Sequence, residues 1–113
     1  MAETIKRLGQ VTGANIATGT TLYTVAANTS AVISSINVCN RHSQTGTSIT
    51  IWHVDGAYGD RADEDVICYK HNLLPATTLN FRLGITMEAS DTIIVDTTGS
   101  TYPTFIAWGS EIT

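Results

Sequence analysis

The sequence predicts an all-β fold, an antiparallel sandwich or barrel of roughly seven to nine strands. A jelly-roll-like sandwich occupying one domain over residues 1–113 is the expected form. Three observations predict it. Short segments rich in β-branched and aromatic residues recur along the chain, separated by Gly, Asn, Asp and Ser. Thr77–Leu83 alternates strictly, with Leu79, Phe81 and Leu83 on one side and Thr78, Asn80 and Arg82 on the other. No segment shows a convincing helical apolar period.

The elements follow in order. Thr4–Gln10 reads as a short first strand, and Val11–Gly19 as a connecting loop or extended arm. Thr20–Val25 and Ala31–Asn40 read as two strands joined by a tight turn, because Asn28, Thr29 and Ser30 can bond nearby backbone groups. In the second strand Val32, Ile36 and Val38 are expected to face the core, with Ser34 among them and Ile33 opposite. A bulge near Ser34-Ser35 would account for that interruption.

Arg41–Gly46 is a polar turn, and Thr47–His53 is a strand in which Ile49 and Ile51 point one way and Trp52 and Val54 the other. A strand apolar on both faces belongs inside a sandwich or under a partner. Asp55–Asp65 is an acidic loop, Val66–His71 a strand, and Asn72–Ala76 a connector whose Pro75 excludes a central strand position. Gly84 is expected to break the alternating strand before Ile85–Met87. Glu88–Asp91 is a turn, Thr92–Asp96 a strand and Thr97–Thr101 a loop. Thr104–Ile112 closes the series, with Phe105 and Ala107 on one face and Ile106, Trp108 and Ile112 on the other.

Composition narrows the function. Hydrophobic residues make up 42% of the chain, but charged residues only 14%, well below the usual quarter. Neutral hydroxyls and amides supply the polarity, and a surface so poor in charge favours association with other copies. A net charge of −4 and six scattered basic residues do not suit a nucleic-acid partner. No apolar run approaches the roughly eighteen residues that span a bilayer, so no membrane partner is expected. The segment Met1–Arg7 lacks the apolar stretch of a signal peptide, which points to synthesis and function without secretion. Cys39 and Cys68 are then expected as buried thiols acting as small hydrophobes.

Chemistry is sparse. Asp55, Asp60, Asp63, Glu64 and Asp65 offer hard oxygen ligands, but their spacing matches no calcium loop. His42, His53 and His71 form no zinc pattern, although His53 and His71 lie in strands that could bring them face to face. No nucleophile elbow, phosphate-cradling loop or Ser-His-Asp arrangement is evident. The expectation is therefore a protein without catalytic residues, metal site or cofactor. Among the aromatic residues, Tyr58 and Tyr102 are expected to be exposed.

The segments Lys6–Gln10, Thr21–Val25, Ser34–Arg41, Leu83–Thr86, Ala89–Ile93 and Gly109–Ile112 together resemble a family of small tailed-bacteriophage virion proteins. The resemblance spans nearly the whole chain and rests on strands and turns. Two departures stand out: Ala26 where a Pro often follows the Tyr-Thr-Val run, and a longer, more acidic Asp55–Asp65 loop. The resemblance implies a structural protein of the virion, assembled in the host cytoplasm. Its foremost form is a capsid decoration (cement) protein that binds the major capsid protein as a homotrimer at local three-fold positions. The other form is a tail or fibre component binding a tail protein or a host glycan. Residues 1–12 would then be a partner-contacting arm. Ile5, Lys6, Arg7 and Leu8 in that arm, with Tyr58 and Tyr102 in the loops, are the expected partner contacts.

Overall fold

The computed structural model describes residues 3–12, 19–56, 62–97 and 103–113. They form eight strands: β1 (Glu3–Thr12), β2 (Thr20–Thr24), β3 (Ser30–Asn40), β4 (Thr47–Val54), β5 (Val66–Leu73), β6 (Thr78–Met87), β7 (Thr92–Thr97) and β8 (Pro103–Ile112). A 3-10 turn, Asp63–Asp65, precedes β5.

The pairing is nested. β1 pairs with β8, β2 with β7, β3 with β6 and β4 with β5, all antiparallel. This is one long hairpin rolled up, and β3–β8 and β4–β7 ladders complete the roll. The result is two four-stranded sheets, in the orders β1-β8-β3-β6 and β2-β7-β4-β5. That is a jelly roll.

The core lies between the sheets. Ile33, Ile36, Val38 and Phe105 from the first sheet meet Ile49, Ile51, Ile93 and Val95 from the second, all fully buried. Each is β-branched or aromatic, which suits a pleated surface packed on one face. β4 and β7 are apolar on both faces. Trp52 opposes Ile94 in the ladder, and Ile94 and Val54 are buried although they lie outside the main cluster.

Bulges cross the first sheet at one level. The register shifts at Leu8 in β1, at Ser34 in β3, and again in β6 opposite Ser34. A bulge lets one extra residue drop out of the ladder, which re-aims every side chain beyond it. The interruption expected at Ser34-Ser35 is therefore present. Its consequence corrects the expected facing of β3. Ile33 is fully buried and Val32 only partly so, while Ile36 and Val38 still point inward beyond the bulge.

Three further expectations are corrected. β2 and β3 are not a hairpin, since they lie in different sheets. The turn between them, with Asn28 at φ 59°, packs instead on the β6–β7 turn: Val25 N–H donates to Asp91 O and Ser90 N–H to Val25 O, each at 3.0 Å. Gly84 does not break β6, whose alternation of exposure runs on through it to Met87. Thr4–Gln10 lies within β1 as expected, but the described part of the arm expected over residues 1–12 does not reach outward: it is tied along its length to β8, with Leu8 and Val11 packed on the core.

Candidate functional site

The sandwich has two unlike sides. On one side β1 and β2, the outer strands of the two sheets, close on each other. Gly9 makes this possible, because a Cβ there would overlap the Leu22 carbonyl oxygen. Beside it, Glu111 of β8 ties the sheets together. Its Oε2 accepts a 2.5 Å hydrogen bond from Tyr23 Oη, and its Oε1 pairs with Lys6 Nζ at 2.7 Å. The Lys6 hydrogen bond, and then that of Tyr23, hold the Glu111 carboxyl below its ordinary range. Burial first, and then the Glu111 hydrogen bond and charge, push the Tyr23 phenol upward.

The expected contacts on β1 divide accordingly. Ile5 is 85% exposed, the most exposed large apolar side chain among the described residues. Arg7 is also exposed. Lys6 is committed to Glu111, and Leu8 packs on the core with its side chain against Gly109. Ile5 and Arg7 are thus presented outward, whereas Lys6 and Leu8 serve the fold. Tyr58 and Tyr102 lie outside the described residues.

The opposite side is open. β5 and β6 are the outer strands there and share no ladder. The inward row of β6 (Leu79, Phe81, Leu83 and Ile85) packs on the core but stays only partly buried. His71 of β5 covers part of it, edge-on to the Phe81 ring at 5.8 Å between centroids. β5 itself carries two register shifts, and Lys70 takes φ 46°. At that shift the Lys70 N–H turns to Thr50 Oγ1, 3.2 Å away. The shifts leave Tyr69 67% exposed and Ile67 38% exposed. Periodicity could not reveal either residue, since a bulge changes which parity faces out.

The acidic loop contributes to a third feature. Asp55, Glu64, Asp65, Glu88 and Asp91 surround His53 in a depression of about 380 Å³. Asp91 is the organising group: its Oδ2 accepts from Glu88 N–H and from His53 Nε2, each at 3.0 Å. Both bonds stay within the turn and its neighbouring strand, so this carboxylate is used structurally. Among the described residues, no three His, Cys, Asp or Glu side chains are grouped to hold a metal ion. His53 and His71 do not face each other; the first bonds Asp91 and the second its neighbour Asn72 O at 2.9 Å. Cys39 and Cys68 are free, partly buried thiols, and burial raises that of Cys68.

No protein-family model matches the chain, and neither does any curated protein sequence. Among solved structures, a chain from the structure of infectious bursal disease virus, Gx strain, aligns with 97% of this chain at TM-score 0.51 and 12% identity. The alignment takes in 31% of that chain, so this protein spans about a third of its length. The likeness is one of fold, the double-sheeted β-sandwich.

Proposed function

We propose that this chain is a virion structural protein, a head decoration protein of a tailed bacteriophage that binds the major capsid protein and stabilises the shell. The observation that supports it most is the architecture. A jelly roll spans the described chain, a fold that recurs in viral capsids, and the exposed apolar side chains Ile5, Ile67 and Tyr69 sit on its outer strands. The fold likeness to a chain of a virus structure and the tailed-phage resemblance point the same way. Ile5 and Arg7 on β1 contact the capsid, and copies cluster as trimers at local three-fold positions, where weak contacts act together.

The role is one of binding, without catalysis or cofactor. Jelly rolls also occur in lectins, and the exposed Tyr69 with Lys70 stacked 5.5 Å from its ring centre favours a second reading, a tail component that binds a glycan. Copy number separates the two. Quantitative mass spectrometry of purified particles is expected to find this chain at a stoichiometry comparable to that of the major capsid protein. A few copies per particle would exclude decoration. Ile5→Glu is expected to abolish capsid binding while shifting the unfolding midpoint little, because the Ile5 side chain is exposed and its backbone ladder to Ser110 is kept.

A further inference from the structure

We infer that two copies of this chain pair through β6, antiparallel across a two-fold axis at Leu83, so that their first sheets join into one continuous sheet. The argument begins with the outer strands. An outer strand leaves a row of unpaired N–H and C=O groups, and proteins usually guard it. All four carry a register shift, but in three of them the alternation of exposure is also broken, and these are guarded further. β1 carries Lys6, Arg7 and a bulge. β2 has five residues and a register shift. β5 has two shifts and a lysine at positive φ. β6 is ten residues long, and its one charged side chain is Arg82.

The sequence of β6 complements itself. With Leu83 opposite its own copy, Phe81 falls opposite Ile85 on the inner face, joining the two half-exposed rows. Aromatic and β-branched residues are favoured cross-strand partners. On the outer face Asn80 falls opposite Thr86, and Arg82 opposite Gly84. No two like charges meet. Gly84 also has nothing within 4 Å of its Cβ position, which leaves room for the Arg82 side chain to lie across it. The register shift of β6 against β3 falls at Leu83-Gly84, and the alternation of exposure on β6 continues through it. This contact does not depend on the virion reading, and it adds a two-fold to any three-fold clustering.

Two double variants test the register, at positions exposed on the folded chain. Asn80→Glu with Thr86→Glu opposes like charges twice across the axis, whereas Asn80→Lys with Thr86→Glu opposes unlike charges twice. Sedimentation equilibrium is expected to find even-numbered assemblies of the wild type. The first variant weakens pairing about ten-fold and halves the mass, and the second retains it. In the wild type, hydrogen exchange of β6 amides slows as concentration rises, and that of β5 does not. A wild type that stays monomeric into the millimolar range overturns the inference. So do odd-numbered assemblies, equal behaviour of the two variants, or β6 exchange independent of concentration.

Discussion

Tyr23 and Glu111 join the two sheets through one short hydrogen bond, 2.5 Å from phenol to carboxylate, on the side of the sandwich where β1 and β2 close. Tyr23 is 8% exposed, so its hydroxyl has little water to turn to. Tyr23→Phe is expected to lower stability by about 1–2 kcal/mol in urea unfolding, without change in the denaturant slope.

The same cluster gives stability an acid limb. The Glu111 carboxyl is held low in the folded chain, so the unfolded chain binds more protons as pH falls. The stabilisation is present above the ordinary carboxylate range and is lost as pH drops through the folded value. Glu111→Gln is expected to be less stable at neutral pH and to lose less stability between neutrality and strong acid. Parallel pH profiles of the two proteins would contradict this. At alkaline pH the sign reverses for Tyr23, whose raised value makes the wild type lose stability above the ordinary tyrosine range.

Asn40 knots the end of β3 to the β5–β6 connection. It is 1% exposed, and its Nδ2 lies 3.0 Å from Thr45 O, 3.4 Å from Leu73 O and 3.2 Å from Leu74 O, while its Oδ1 accepts from His42 N–H at 3.0 Å. Asn40→Ala is expected to cost about 2–3 kcal/mol, measured by thermal or denaturant unfolding. Asn40→Asp, nearly the same in shape, is expected to cost as much or more at neutral pH. A carboxylate has no N–H to donate and would face three carbonyl oxygens.

Two glycines are expected to respond oppositely. A Cβ at Gly109 would overlap the Val32 carbonyl oxygen and press on Leu8, so Gly109→Ala should destabilise by about 2–3 kcal/mol or more. Gly84 meets nothing within 4 Å, and Gly84→Ala should stabilise the chain by about 0.5–1 kcal/mol through the entropy of the unfolded state. Melting temperatures of the two variants decide it.

What the sequence made legible was the facing of single strands. Leu79, Phe81 and Leu83 alternate as expected, because period two is a property of the strand alone. The interruption at Ser34-Ser35 was equally legible, since two serines in an apolar row are a local signal. Partnership was not. Ala26–Ser30 has the chemistry of a turn, and the backbone does turn at Asn28, but a jelly roll sends the next strand into the other sheet. Nothing local distinguishes a hairpin from such a crossing. Leu73 illustrates the same limit: it reads as part of a connector beside Pro75, yet it ends β5 and is 1% exposed. The open side escaped the sequence for a further reason. Tyr69 and Ile67 owe their exposure to two register shifts, which are settled by the neighbouring strand.

The nested pairing also dictates an order of assembly. β4 and β5 are the nearest partners along the chain, and β1 and β8, with Glu3 opposite Ile112, are the most distant. Closing a loop costs more entropy as it lengthens, so the ladders should zip from the centre outward. During synthesis β1 emerges early and must wait, unpaired, until β8 has been made. In that interval Ile5, Leu8 and Val11 are open to any other strand nearby, and chaperones that bind extended apolar segments should find β1 first.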